Sequence, residues 1–385
     1  MAKIISASKS AVESIDSTSI SKTKSSELVK QITLFNQALQ KRFDTLGGER
    51  FFGPLEEKDG RVWYYQRACL YYNSTLRKVV ELHGEIYKKW RQLGGVRWGT
   101  PETDESPCSD GVGRYNHFNH GNATIMWSPQ TGANAVWGDI HKRWAELDWE
   151  RSYLGYPTSD EVDFPDGGRV NSFQHGGIYW WPDMGAIDLN DVSVAYTGLV
   201  CFKETGESSG SDEPYVVLGV NTPFTVASYR TKTYSSVDSN TSRPDLLEIY
   251  RGKPNGIAIS ILLTENDEGD PEKYKKEITA AVQKAHEVGT AALAFIPIVG
   301  VGIAAVLGPL IQKFIPNIGK AINDVFGFGD DIIGAQTIVL TGKDMIRLAT
   351  RTNNSTYKNV GFKFSTNNLK GESANYKVYF GIVPV

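Results

Sequence analysis

Apolar and polar residues follow three different patterns along this 385-residue chain. Between residues 30 and 190, apolar residues recur at helical spacing in three short stretches, each followed by Gly and Pro turn signals and aromatic-rich runs. From Val192 onward, short apolar runs alternate with turn signals, which is typical of antiparallel strands. Within that second half, residues 271–329 return to helical spacing around a bare apolar centre.

These patterns predict a mainly β protein with some α-helix. Residues 1–29 are rich in Ser and Thr and are expected to form a mobile N-terminal arm. Residues 30–190 are expected to form a three-unit α+β repeat domain, because one unit of about 50 residues cannot bury its apolar face alone. Residues 191–385 are expected to form an antiparallel β-sandwich, with the helical apolar block 271–329 inserted as a hairpin.

The segment from Val288 to Ile311 carries no charged residue. A straight helix of that length would reach roughly 36 Å, enough to cross a bilayer, but Pro297 and Pro309 favour a kinked helix or a hairpin. Two interpretations stay open, a buried core hairpin and a membrane-active segment. The residues expected to contact lipid in the second are Phe295, Ile296, Val299, Val301, Ile303 and Leu307.

All nine Trp residues lie between Trp63 and Trp181, in three segments that align by eye. After each helical stretch the chain reads LGGERFFGP at 46–54, LGGVRWGTP at 93–101 and YLGYP at 153–157, followed by an Asp-Gly turn and a pair of aromatic-rich strands. These units resemble LGFP repeats. The resemblance implies a module of cell-wall-associated proteins that holds wall glycan.

Aromatic residues of the repeats are therefore candidates for sugar binding, since an indole offers a flat apolar face and one hydrogen-bond donor. The candidates are Tyr115, Trp127, Trp137, Tyr179, Trp180 and Trp181, together with Asp139. The alternative is that most of them are core residues. A zinc site built from His117, His120 and either His141 or His175 is disfavoured, because His120 and His175 hold the same position in different repeats.

Acidic turns in the second half resemble the calcium-binding loops of synaptotagmin-like C-two domains. The motifs that carry the resemblance are GSDEPYV at 210–216, ENDEGD at 265–270 and DDIIG at 330–334. The resemblance implies calcium as a cofactor beside a lipid headgroup, with ligands drawn from Asp212, Glu265, Asp267, Asp270, Asp330 and Asp331. Glu213 is inserted, and Glu265 stands where the family has Asp. The alternative is a set of solvated acidic turns.

Charge and cysteine content exclude some classes of partner and of covalent cross-link. A net charge of −3 without a dense Lys/Arg run argues against a nucleic-acid partner. Three widely spaced cysteines, Cys69, Cys108 and Cys201, argue against a disulfide framework. The polar N-terminus lacks the apolar core of a signal peptide, so we expect cytoplasmic synthesis and action at a target cell surface or membrane after release.

The sequence thus predicts a non-enzymatic, glycan-recognising and calcium-assisted membrane-active protein, a toxin or defence protein that forms pores. Its expected partners are a cell-surface or cell-wall glycan and membrane lipid, and a homo-oligomer is left open. The alternative is a soluble cell-wall or carbohydrate-binding protein whose hairpin is only core. The chain contains no H-E-x-x-H or Walker loop, which disfavours an enzyme.

Overall fold

A computed structural model describes residues 17–206, 210–222, 224–266, 276, 279–280 and 332–385. Two compact units divide the chain, Met1–Ala135 and Val136–Val385. We describe each unit by itself.

The first unit contains two copies of a helix followed by a four-stranded antiparallel sheet. The first copy comprises α1 (Ser17–Thr45), the short helix α2 (Glu49–Phe52), β1 (Leu55–Asp59), β2 (Val62–Tyr65), β3 (Ala68–Asn73) and β4 (Lys78–His83). The second comprises α3 (Gly84–Leu93), a 3-10 turn (Gly95–Arg97), β5 (Ser106–Pro107), β6 (Arg114–Phe118), β7 (Ala123–Ser128) and β8 (Gly132–Trp137), which leads into the second unit. Strands pair in sequence order in both sheets, while α1 packs on β3 and β4 and α3 packs on β7.

The local sequence explains these helices. Ile86, Tyr87 and Trp90 fall on one face of α3 and are buried, and the helix ends where Gly94 adopts a left-handed φ of 110°. Helix α1 begins at Ser17, so residues 17–29 of the predicted arm are helical, and the mobility of this stretch stays a prediction. No Gly or Pro interrupts that stretch, and its helix therefore continues from the packed turns around Leu39. Residues 1–16 lie outside the described part of the chain.

The second unit begins with a third copy of the helix and sheet. It comprises α4 (Gly138–Glu146), a 3-10 turn (Trp149–Arg151), β9 (Val162–Phe164), β10 (Gly168–Phe173), β11 (Gly176–Trp181) and β12 (Gly185–Leu189). These strands again pair in sequence order, and α4 packs on β11 and β12. The described helices and strands therefore repeat three times, at the places where the sequence predicts three units.

Two larger antiparallel sheets follow. Their elements are β13 (Val192–Lys203), β14 (Tyr215–Asn221), β15 (Val226–Arg230), β16 (Ser242–Gly252), β17 (Ile257–Thr264), β18 (Ile332–Leu340), α5 (Gly342–Thr350), β19 (Ser355–Tyr357), β20 (Val360–Phe362), β21 (Phe364–Ser365), β22 (Leu369–Gly371) and β23 (Ala374–Pro384). One sheet has the order β16-β13-β23-β21, with β22 also on β23, and the other has the order β15-β14-β17-β18. Strands β19 and β20 form a separate hairpin. The prediction of a mainly β chain with few helices is confirmed.

One hydrophobic cluster joins the sheet of the third repeat to both larger sheets of the second unit. It contains Val194 of one large sheet, Ile259 of the other, and Phe164 and Trp181 of the third repeat. The predicted domain boundary near residue 190 stays a prediction, but a cut there would expose Trp181, which is fully buried.

Candidate functional site

A groove of about 260 Å³ lies in the second repeat, where the end of β4 and the start of α3 meet the sheet β5–β8. We call it the repeat-two site; its lining residues are His83, Gly84, Glu85, Ile86, Glu105, Arg114 and Trp127. Gly84 has a φ of 58°, which lets the chain turn from strand into helix and places Glu85 in the first turn of α3. Arg114 on β6 lies directly across from Trp127 on β7, whose ring is partly exposed.

The charged residues of the repeat-two site are paired with one another. Glu105, almost buried at 9% side-chain exposure, lies 3.2 Å from Nε2 of His83 and 3.4 Å from Nε of Arg114. The other imidazole nitrogen of His83 lies 2.8 Å from Glu81. Hydrogen bonds to Glu105 and Glu81 raise the pKa of His83 to about 10, so the imidazole is charged at neutral pH. On α3, Nζ of Lys88 donates to Glu85 at 2.7 Å.

The third repeat carries the same side-chain set, which we call the repeat-three site. Its members are Trp137, Asp139, Glu161, Arg169 and Trp180, and the last two are again cross-strand partners. Arg169 donates through Nε to Glu161 at 2.8 Å, and Lys142 donates to Asp139 at 2.9 Å. The indole N–H of Trp180 donates to Asp139 at 3.1 Å, which fixes the plane of its partly exposed ring.

Each member corresponds to a member of the repeat-two site. Glu161 stands at the same distance along the chain from Pro157 as Glu105 does from Pro101. Asp139 matches Glu85, each just inside a helix and each paired with a lysine one turn later. Trp137 replaces His83. Two consecutive repeats therefore surround one exposed indole with one Arg–Glu pair and one acid–Lys pair.

The first repeat lacks this set. Lys58 stands where the other repeats have Glu105 or Glu161, and Ala38 stands where they have Glu85 or Asp139. Tyr72 occupies the place of the indole, but Phe35 of α1 lies against it with ring centroids 4.4 Å apart. Arg61 hydrogen-bonds to Ser74. The first repeat thus lacks both acids of the later sites, and its partly exposed Tyr72 carries a ring contact from α1.

The predicted sugar-binding aromatics fall into two groups. Tyr115, Trp127, Trp137 and Trp180 are partly exposed. Trp181 and Tyr179 are 0% and 4% exposed and pack on Phe164, and the Trp181 indole donates to the carbonyl of Pro165 at 3.1 Å. A buried ring offers no face to a sugar, so those two predictions are wrong.

Sequence reasoning missed the charged partners of the indoles. Arg114, Arg169, Glu105 and Glu161 are scattered along the chain and carry no motif of their own. The equal spacing of Glu105 and Glu161 from the proline of their repeats was the signal that could have identified the two acids.

Of the predicted calcium ligands, only Asp212 and Glu265 lie among the described residues. Asp212 precedes β14 and Glu265 follows β17. Both lie at one end of the sheet β15-β14-β17-β18, since Tyr215 at the start of β14 pairs with Thr264 at the end of β17. Asp212 is 2% exposed, and its carboxylate accepts hydrogen bonds from the amide and hydroxyl of Thr205 and from the hydroxyl of Tyr376. Burial and this bond to Asp212 raise the pKa of Tyr376. These donors already use the carboxylate oxygens that calcium would need, so Asp212 does not fit a ligand role.

Glu265 is also buried and accepts a hydrogen bond from the backbone amide of Glu213. Asp267, Asp270, Asp330 and Asp331 lie outside the described residues. Within the ranges that the structure describes, no group of three His, Cys, Asp or Glu residues could hold a metal ion.

The predicted lipid-contacting residues lie outside the described part of the chain. They are Phe295, Ile296, Val299, Val301, Ile303 and Leu307. Among the helices that are described, none combines the length and the apolar character needed to cross a membrane.

The family comparison covers the four-stranded sheets of the second and third repeats. A model of the LGFP repeat matches residues 99–152 and 154–193. The chain therefore contains two LGFP repeats, a module associated with cell-wall or surface binding. No family match supports the resemblance of the C-terminal half to a C-two domain, and no curated protein matches the chain.

Proposed function

We propose that the protein binds a cell-wall or cell-surface glycan through the repeat-two and repeat-three sites. The observation that carries this proposal is the recurrence of one side-chain set around Trp127 and Trp180. A core aromatic needs no ring of ion-paired polar groups around an exposed face, whereas a sugar needs both an apolar surface for its C–H groups and partners for its hydroxyls.

The chemistry of each site suits that task. A pyranose ring stacked on Trp127 would place its hydroxyls near Glu85, Glu105 and Arg114, and these groups both accept and donate hydrogen bonds. Because Glu105 is held by two cations, it is poorly suited to give or take a proton. We therefore propose binding without catalysis.

The test is binding of the purified chain to a panel of insoluble wall polysaccharides. The Trp127→Ala, Trp180→Ala double variant should lose retention, because both stacking faces are gone. Phe224→Ala is the matched control, since it removes an exposed aromatic ring outside the repeats. Equal retention of the double variant and the wild type would contradict the proposal.

We keep membrane action as a second candidate, with the toxin or defence role, pore formation, calcium assistance and release from the cytoplasm that the sequence suggests. It is motivated by the uncharged stretch from Val288 to Ile311, which lies in the chain between the paired strands β17 and β18. Leakage of dye from liposomes, with and without calcium, tests it. Absence of leakage by the wild type under both conditions would contradict it, and leakage that persists after residues 271–329 are replaced by a short Gly-Ser linker would show that this segment is not responsible.

A further inference from the structure

We propose that each chain holds two sugars of an uncharged polysaccharide, one at the repeat-two site and one at the repeat-three site, and that the first repeat binds none. This inference rests on the proposed glycan-binding function. It adds the ligand's charge, the number of sites and the need for a repeating polymer.

The absence of net charge in the ligand follows from the pairing within each site. Glu105 is paired with Arg114 and His83, Glu85 with Lys88, Glu161 with Arg169, and Asp139 with Lys142. A charged sugar would have to compete with one of these pairs, and the freed partner would be left without its counter-ion. Hydroxyl groups can share the same oxygens and N–H groups without breaking a pair. The sites therefore favour an uncharged sugar.

The presence of two sites follows from the matched side chains. Arg114 faces Trp127 across the strands as Arg169 faces Trp180, and each Arg is bound to a nearly buried Glu. Because the donors and acceptors around both indoles are the same in kind, both sites should accept the same class of sugar. The repeat-three site differs in that Trp137 stands in place of His83 and Asp139 in place of Glu85, and Arg169 is also paired with Asp163.

The exclusion of the first repeat follows from its packing. Helix α1 begins at Ser17 and continues to Thr45, far longer than α3 or α4, and its Phe35 packs against the partly exposed ring of Tyr72. Ala38 and Lys58 also remove both acids.

Two equal sites in one chain suit a ligand that presents the same sugar many times. Binding of one site to a polymer makes the second binding event intramolecular, which raises affinity for the polymer without any new contact. A short oligosaccharide gains nothing of this kind. The affinity for polymer should therefore depend on both indoles, while the affinity of each site for a short sugar should not.

The experiment uses the full chain with tetramers of N-acetylglucosamine and of β-glucose as soluble probes, chitin and β-glucan as polymers, and polygalacturonate as the charged probe. Titration calorimetry should give two sites per chain for an uncharged tetramer, one site for Trp127→Ala, one for Trp180→Ala and none for the double variant. Each single variant should lose at least ~10-fold in affinity for the matching polymer. Tyr72→Leu, at the equivalent place in the first repeat, should keep two sites.

Different outcomes contradict the two-site inference and the glycan-binding function on which it rests. One site or three in the wild type, loss of both sites in a single variant, or preferential salt-sensitive binding of polygalacturonate would overturn the inference while glycan binding stands. Failure of the wild type to bind any of the polymers would overturn the proposed function itself. Melting curves of each variant show whether a lost site reflects misfolding.

Discussion

Repeats one and two place an aromatic residue at the same point of the middle strand, Tyr72 in one and Trp127 in the other, but surround it differently. Tyr72 packs against Phe35, and Ala38 and Lys58 stand where the second repeat has Glu85 and Glu105. Trp127 lines an open groove with Glu105 and Arg114. The same fold thus supplies packing in one repeat and a candidate site in the next, and the difference is made by the length of the preceding helix and by two side chains.

The largest effect should come from the framework that both repeats share. Trp90 of α3 is fully buried and its indole donates to the carbonyl of Gly99 at 2.8 Å. Trp90→Ala should lower the free energy of unfolding by about 3–5 kcal/mol, because it leaves a large cavity and an unpaired carbonyl. Urea denaturation measures it, with Leu76→Ala at an exposed position as control. A change below 1 kcal/mol would mean that α3 is not essential to the repeat.

The next effect separates binding from stability. Trp127→Ala should weaken binding of an uncharged oligosaccharide by about 2 kcal/mol and lower the free energy of unfolding by less, since the ring is partly exposed. Tyr72→Ala should do the opposite, because it removes the ring that packs on Phe35. Calorimetry measures the binding and urea denaturation the stability of both variants. The prediction is wrong if both variants lose the same affinity and the same stability.

A third test attempts to convert the first repeat into the second. The triple variant Phe35→Ala, Ala38→Glu, Lys58→Glu uncovers Tyr72 and restores both missing acids. We expect a third, weaker site, because Tyr gives a smaller stacking face than Trp. Titration with an uncharged tetramer should give three sites per chain. A folded triple variant that still gives two would show that the helix backbone, and not Phe35 alone, closes this place.

The smallest effect concerns His83, which has no counterpart in the third repeat. Its pKa is raised to about 10 from an ordinary value of 6.5, so the stabilisation is fully present below pH 6.5 and is lost as the pH rises towards 10. The ring is one-third exposed, so solvent screening limits the loss to about 1 kcal/mol. Between pH 6 and pH 10 the free energy of unfolding should therefore fall less in His83→Gln than in the wild type.

The sequence predicted the repeats well because their turns and helices are set by local residues. It could not tell which aromatics are exposed. Along β11, Tyr179 and Trp181 are buried while Trp180 between them is not, and that sheet is covered by α4 and by the shared core. Burial of this kind depends on elements distant in sequence.

The pairing of Glu105 with His83 was hidden for the same reason, since the two lie on different elements. Asp212 was misjudged because its donor Tyr376 comes from the last strand of the chain. A residue's local motif suggested a metal ligand, while a contact from far along the chain made it a buried structural group.

The register of β17 with β18 has a consequence for how the chain could be altered. Ile257 pairs with Leu340 and Thr264 with Ile332, so the two strands would form an ordinary hairpin if a short turn joined them. Loop closure costs only about 0.6 kcal/mol more for each doubling of loop length, which means that the sheet is nearly indifferent to the size of what it carries there. The connection between these strands is therefore an insertion site, where one segment can be replaced by another without redesigning the sheet.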